Sequence, residues 1–356
     1  MSEAQPALVR FLRAAPHVHR DLLTTLSNDA AFVSDAARHG LAAVVDREFQ
    51  LARVAPGPAI APTLRKHALQ SIQYAMRTQK LTHQAIDALA KAGVVSILLK
   101  GYALASRIYD DAMLRVSTDV DILVDRDDLN AACAAIETLG LKPEVDADEY
   151  YPPEYRHHLS FHGPAGLVEI HFRPVGNFEP WEGAAFSQRS IAATLDGKPV
   201  RLLRPEDEFV YLALHAAQHL FFRLSWIYDL KLFVTAYPNL DWNQVVMAAN
   251  ESQTPALAAC AFDVARRSVG LEIPMHVTQT LRLSMSQRIA TENLLSTHQL
   301  VASRLSQHRA VWAALKFVLA DNRREFLRFA ARRGVWVVQK RLSTPPQQSA
   351  HNQRDR

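Results

Sequence analysis

An α+β fold, with one small mixed sheet set between helical segments, is what this 356-residue sequence predicts. Three observations carry that reading. Glycine is scarce, at 12 residues, while alanine and leucine are abundant, which favours helices over a loop-rich or all-β chain. The helical texture breaks at Val94, where a short run rich in β-branched residues begins, and returns at Pro205. Between those points lie segments with clean period-two alternation, the pattern of half-buried strands. With 49% apolar residues the chain can bury a sizeable core, and its length suits two or three packed units.

Residues 5 to 93 read as helices. Leu8, Phe11 and Leu12 open one apolar stripe, and Leu22, Leu23 and Leu26 open another. Ser27-Asn28-Asp29 is a helix-start signal before Ala30, Gly40 stops that helix, and Pro56-Gly57-Pro58 marks a loop. A long helix is expected from Pro62 to Lys91, stopped by Gly93. Val94 to Leu99 then reads as a buried strand, Tyr102 to Tyr109 as a helix, Asp119 to Val124 as a second strand, and Asp127 to Leu139 as a helix ended by Gly140. His158–His162 and Leu167–Phe172 flank Gly163-Pro164-Ala165-Gly166, which predicts a hairpin. From Pro205 the chain is helical again, most clearly over 206–220 and 224–236, and on to about Arg341.

The net charge is +4 and the isoelectric point about 9.1, a balance that permits an anionic partner without demanding one. Cys133 and Cys260 stand alone in apolar helical patterns, so neither a disulfide framework nor a thiolate metal site is expected, and a reducing compartment is the plain reading. The N-terminal stretch lacks the apolar run of a secretory signal, and no segment is long enough to span a bilayer, so a cytoplasmic protein is expected. Neither a Walker-type glycine loop nor a dinucleotide fingerprint is present.

The chemistry centres on Asp119-Val120-Asp121-Ile122-Leu123-Val124. Alternation puts Asp119 and Asp121 on one strand face, with Val120, Ile122 and Val124 on the other, toward a core. Two neighbouring carboxylates repel unless a cation or donors compensate. Mg²⁺ takes hard oxygen ligands, typically one or two carboxylates plus substrate phosphates. Glu169, on an alternating strand opposite Val168 and Ile170, offers a third carboxylate. If the strands are neighbours, the three acids suit two-metal phosphoryl chemistry, with Glu169 as ligand or as proton acceptor. Lys100-Gly101 follows the first strand and opens a helix, a place where backbone N–H groups and a lysine can meet phosphate. Arg115, four residues before Asp119, could clamp a phosphate. The structural alternative for Asp119 and Asp121 is helix capping with ion pairs to Arg115 and Arg126. For Glu169 it is an exposed sheet position, and for His171, on the same face, a sheet-edge histidine with a hydrogen-bond partner.

Leu98-Leu99-Lys100-Gly101, Tyr109, Arg115, Asp119 to Val124 and Val168-Glu169-Ile170-His171 together resemble the core of the uncharacterised bacterial nucleotidyltransferase family, within the DNA polymerase beta-like nucleotidyltransferase superfamily. Ala36 to Leu41 and Leu224 to Leu230 share the family's texture, so the resemblance covers about residues 30 to 235. It implies Gly101 at the phosphate-binding glycine, Asp119 and Asp121 as the metal pair, and Glu169 as the third acid. It implies one or two Mg²⁺ ions, an NTP such as ATP as substrate, and transfer of a nucleoside monophosphate to a hydroxyl on a protein, peptide, small molecule or RNA end, with pyrophosphate released. The settings it suggests are peptide or polysaccharide biosynthesis clusters and toxin-like modification. Two departures stand out: Tyr102 follows the glycine where the superfamily usually has serine, and the interval from Gly101 to Asp119 exceeds that of minimal members. They favour the alternative of a catalytically inactive nucleotide-binding or accessory protein.

The expected organisation is thus an N-terminal helical segment over 1–93, a nucleotidyltransferase α/β core over 94–204, a C-terminal helical domain over 205–341, and a polar, disordered tail over 342–356. His215 and His219 have zinc-ligand spacing on a helix, which raises a zinc hydrolase as a competing reading. They lack the glutamate of H-E-x-x-H and an evident third ligand, so packing or substrate contact is preferred. Asp229 is expected to pair with Arg223 or Lys231. Residues 322–341 hold seven basic side chains and one acid, Glu325. That stretch, Arg323 to Arg341, could grip RNA, though a solvated basic helix face is the favoured reading.

Overall fold

The computed structural model describes residues 5–144, 155–175, 188–303 and 309–343. Four helices come first: α1 (Ala7–Ala14), α2 (Arg20–Leu26), α3 (Ala30–Arg38) and α4 (Ala42–Leu51). Asp29 caps α3 by accepting from the Phe32 N–H at 2.9 Å, and the chain turns away at Gly40. The long α5 (Ala61–Lys91) follows, with Pro62 in its first turn, where a missing N–H costs nothing. Then come β1 (Ser96–Leu98), α6 (Gly101–Ile108), β2 (Asp119–Val124), α7 (Leu129–Glu137), β3 (Lys142–Pro143), β4 (His158–Gly163), β5 (Gly166–His171), β6 (Ile191–Leu195) and β7 (Lys198–Leu202). Helices return as α8 (Pro205–Gln218), α9 (Leu224–Ala236), α10 (Trp242–Glu251), α11 (Pro255–Val269), α12 (Met275–Thr280), α13 (Met285–Leu294), α14 (Thr297–Ala302), α15 (Arg309–Leu319) and α16 (Arg323–Ser343). The architecture is α+β, as the composition and patterning predict. Residues 344–356, where most of the expected tail falls, lie outside the described residues.

The sheet is mixed, in the order β3-β4-β5-β2-β1-β7-β6. At its centre β2 pairs antiparallel with β1 and parallel with β5. The predicted hairpin is β4–β5, closed by Pro164-Ala165 with Gly163 opposite Gly166. A second hairpin, β6–β7, was not foreseen. Its turn is Asp196-Gly197, with φ of 48° and 80°, the paired positive values of a type I′ turn.

The two faces of the sheet feed two cores. Val120, Ile122, Val124, Val168 and Ile170 pack with Leu98 and Phe161 against Leu81, Ala85 and Leu89 of α5 and Ala132 and Ile136 of α7. From the other face Ile97, Leu99 and Leu123 join Leu203 and a larger core. That core brings together α1–α4 from one end of the chain and α8, α9 and α11 from the other. At about 25 cal/mol per Å² of apolar surface, this burial is the main term holding the layers together. It also decides where charge can sit, because β2 must present Asp119 and Asp121 to the side that α8 covers. No described helix is long and apolar enough to cross a membrane.

Candidate active site

Register builds the site. In the parallel pair β2–β5, Asp121 lies opposite Glu169 and Asp119 opposite Leu167. Paired residues point to the same face, so Asp119, Asp121 and Glu169 come together on the α8 side. Asp121 is buried, while Asp119 and Glu169 keep side-chain exposures of 24% and 21%. The juxtaposition of the three acids expected from alternation is present.

Lys100 neutralises part of this charge. Its Nζ lies 3.1 Å from Asp119 Oδ2 and 2.8 Å from Asp121 Oδ2. Burial works against the ammonium, but the Asp119 and Asp121 carboxylates outweigh it and hold the lysine well above its ordinary range. The ion pairs of the two aspartates are therefore with Lys100, not with Arg115 or Arg126. Lys100 is delivered by Leu99, whose N–H donates to the Asp121 carbonyl at 3.1 Å, one step past the end of β1. Gly101 then adopts φ +67°, and a Cβ there would meet Ser117 Oγ at 3.4 Å and the Asp119 carbonyl at 3.6 Å. This left-handed turn starts α6 beside β2, so the free N–H groups of the helix open near the acids. Tyr102, expected where the superfamily has serine, points elsewhere. Its hydroxyl donates to Asp196 Oδ2 at 2.6 Å and accepts from Gln79 at 2.7 Å.

Arg115 does not reach toward the acids in the way a phosphate clamp would need. Its Nε lies 3.1 and 3.0 Å from the two Asp229 carboxylate oxygens, and its Nη2 lies 2.9 Å from Oδ2. Tyr109 adds a hydroxyl bond to Asp229 Oδ1 at 2.8 Å. Arg115 and Asp229 are both buried, so this is a closed structural pair joining the segment before β2 to α9. Asp229 thus pairs with Arg115 in place of the expected Arg223 or Lys231.

Histidines complete the cluster. His171 Nε2 lies 3.1 Å from Asp121 Oδ1 and 3.4 Å from Glu169 Oε2. It has the hydrogen-bond partner expected of it, but it sits inside the sheet, not at an edge. Burial disfavours its charge, yet bonds to Asp121 and Glu169 raise it above the usual imidazole range. Burial pushes Glu169 up, and the bond from His171 with the charges of His158, His171 and Lys100 reverses that, so the carboxyl is held below its usual range. His158, cross-strand from His171, brings Nε2 to 3.8 Å from Glu169 Oε1. The His158 role was legible once the hairpin register was drawn, because a turn at 164–165 sets residue 158 opposite 171. Tyr211 of α8 has its hydroxyl pushed well up by burial, with Lys100, Asp121, Glu169 and Asp119 among the charges it feels.

One turn further along α8, the His215 ring lies 4.8 Å from that of His219, tilted, and 4.9 Å from Trp226, edge to face. Among the described residues, the groups of three or more metal-competent side chains are Asp121–Glu169–His171 and His157–His158–His171. Neither includes His215 or His219, so a zinc hydrolase built on that pair has no support here. His157 and His219 instead border a cavity of about 730 Å³, walled also by Phe221, Trp226, Lys316 and Phe329. The His157 ring lies 5.6 Å from that of His171, so the cavity ends at the carboxylate cluster. One side of the basic α16, including Phe326, Phe329 and Arg333, lines this cavity, whereas Arg323, Arg324, Arg328 and Arg332 are exposed.

The donor set fits a hard divalent cation. Asp121, Glu169 and His171 are close enough to share one ion, and Asp119 joins them through the lysine it shares with Asp121. Asp121 Oδ2 is buried and close to Lys100, but the contact is not aligned as a hydrogen bond, so that oxygen keeps coordinating capacity.

No curated protein matches the chain. Among solved structures, it is similar to the solution structure of the antibiotic-resistance factor ANT(2'')-Ia, at 18% identity and a TM-score of 0.36, over 50% of this chain and 94% of that one. It is similar also to the crystal structure of ANT(2'')-Ia in complex with adenylyl-2''-tobramycin, at 16% identity and a TM-score of 0.35, over 49% and 96% of the two chains. Residues 27–270, a span that holds Lys100, both aspartates, Glu169 and the helices above them, match a single family along their whole length. The chain belongs to the uncharacterised nucleotidyltransferase family.

Proposed function

We propose that this protein is a Mg²⁺-dependent nucleotidyltransferase that moves a nucleoside monophosphate from an NTP to a hydroxyl of an acceptor. The observation that carries this reading is the meeting of Asp119, Asp121 and Glu169 on one sheet face beside Lys100 and the start of α6. The acceptor oxygen attacks the α-phosphorus, the bond to the β-phosphate oxygen breaks, and pyrophosphate leaves. Asp119, Asp121 and Glu169 would hold one or two Mg²⁺ ions, which when bound supply charge neutralisation and a more acidic acceptor hydroxyl. The N–H groups that Gly101 places at the start of α6 bind phosphate oxygens, and Lys100 supplies the mobile positive charge. Glu169, ionised at neutral pH and partly open to solvent, takes the acceptor proton. Arg115 acts at one remove, by fixing through Asp229 the segment that leads into β2. The cavity walled by Trp226, Phe221 and Phe329 ends at His157 and is the seat assigned to the acceptor.

A second reading, a nucleotide-binding or accessory protein without turnover, is favoured by the position of Lys100. Its ammonium lies between the two aspartates, where a divalent ion would compete with it. Calorimetric titration with a non-hydrolysable ATP analogue, with and without Mg²⁺, comes first. Micromolar binding that needs Mg²⁺, and that weakens at least about 10-fold in Asp121→Asn, is expected. Pyrophosphate release over a panel of hydroxyl-bearing acceptors then separates turnover from binding alone. A chain that binds nucleotide equally well without Mg²⁺ and with Asn at position 121 would sink both the metal assignment and the transfer reaction.

A further inference from the structure

The carboxylates are one half of the polar face. The other half is nitrogen. We propose that His157, His158 and His171 form a second metal site, built for a borderline transition ion such as Zn²⁺ and distinct from the oxygen site that holds Mg²⁺.

Backbone geometry brings the three rings together. His158 faces His171 across the β4–β5 ladder. The His157 carbonyl accepts the N–H groups of Phe172 at 2.9 Å and Arg173 at 3.2 Å, which holds residue 157 just past the ladder's end. One ring nitrogen from each histidine lies within 4.8 Å of the other two. His157 Nε2 and His158 Nδ1 are 2.8 Å apart, two nitrogens that can share only one proton.

His171 shows which way the group is turned. Its Nε2 is directed at Asp121 and Glu169, and its Nδ1 is buried with no hydrogen-bond partner. In a metal-bound histidine one ring nitrogen is held by a carboxylate and the opposite one faces the ion, which is the orientation His171 has here. An orphaned buried nitrogen is otherwise costly, because its desolvation goes uncompensated.

Ligand chemistry separates the two sites. Three imidazoles prefer Zn²⁺, Ni²⁺ or Cu²⁺, while carboxylates with phosphate oxygens prefer Mg²⁺. Three protein nitrogens leave a fourth position on zinc, and His157 also borders the cavity. Such an ion would contact whatever group enters there. The inference stands apart from the transfer reaction, since it needs only the rings and the carboxylates that orient His171.

The test uses the full chain stripped with EDTA and titrated with Co²⁺ as a visible stand-in, then with Zn²⁺, in excess Mg²⁺. One ion per chain, with the absorption band of a nitrogen-ligated site and no displacement by Mg²⁺, is expected. His157→Gln and His158→Gln should each weaken binding at least about 100-fold. Asp119→Asn should leave it unchanged while weakening Mg²⁺–nucleotide binding, so the two sites fail separately. X-ray absorption at the zinc edge of the wild-type chain should count three imidazoles, a readout that does not depend on any variant folding. Absence of stoichiometric binding, a count below three, or loss of Co²⁺ binding in Asp119→Asn would overturn the site.

Discussion

Two sets of buried acids sit within this molecule and are neutralised in opposite ways. In the helical layer three buried acids, Glu208, Asp229 and Asp207, are held by arginines. Glu208 takes two bonds from Arg107, at 2.7 and 2.6 Å, Asp229 takes the fork of Arg115, and Asp207 is held by Arg189 and Arg204. On the sheet, Asp119 and Asp121 share one lysine, and Glu169 depends on histidines. A guanidinium is planar, always charged and matched to a carboxylate, so such pairs lock. An ammonium on a flexible stem and an imidazole can be exchanged for another cation. The difference separates charge that holds elements together from charge kept available.

The sharpest way to break this comparison is to neutralise one acid from each set. Asp229→Asn should destabilise the fold by about 3–5 kcal/mol, because it leaves Arg115 buried without its counter-charge. Asp121→Asn should leave the unfolding free energy within about 1 kcal/mol of wild type while lowering transfer at least about 100-fold. Thermal melts and pyrophosphate assays on both variants read this directly. Similar losses of stability in the two would mean that the sheet acids are structural too.

A smaller effect sharpens it. Lys100→Met removes the cation that the aspartates share. Saturating Mg²⁺ should then stabilise it by about 2–3 kcal/mol, read as a rise in melting temperature well above that of wild type. Equal shifts in the two proteins would show that the ammonium and the divalent ion do not compete for one place.

The smallest effect lies away from both sets, at His39. Its Nδ1 accepts the Leu224 N–H at 3.1 Å, so its Nε2 carries the proton and donates to the Val301 carbonyl at 3.0 Å. Burial lowers its basicity from the ordinary value of 6.5. The unfolded chain therefore takes up this proton first as pH falls, so the contribution to stability is whole above pH 6.5 and is lost below it. Melts between pH 7.5 and 5 should show a decline that His39→Gln flattens, at a cost of about 1 kcal/mol at neutral pH. A slope unchanged by that substitution would assign the decline to other groups.

Much of the site was legible in the sequence because it follows from local periodicity. Alternation in Asp119–Val124 fixes which face carries the aspartates, and Val168 and Ile170 fix the face of Glu169. The partners of those acids were not legible. Whether Arg115 faces phosphate or Asp229 depends on contacts across 114 residues, which no local pattern encodes. Lys100 was placed near phosphate from its position before Gly101, but its bridge between two aspartates needed the β1–β2 register. The β6–β7 hairpin is a different kind of miss. Asp196-Gly197 is a strong turn signal, yet Pro199 and the unremarkable alternation of 191–195 hid the strands around it. The coming together of helices from both ends of the chain in one core is likewise a tertiary fact that periodicity does not contain.

The 31 residues of α5 carry a mechanical consequence. As an unbroken rod of about 46 Å, it has Leu64 embedded in the core shared by both chain ends and Leu81, Ala85 and Leu89 pressed under the sheet. Prying the α8 layer off the sheet as a whole would strain this strut along its length. Whatever binds at the acids therefore meets them within a frame braced along its length by one helix.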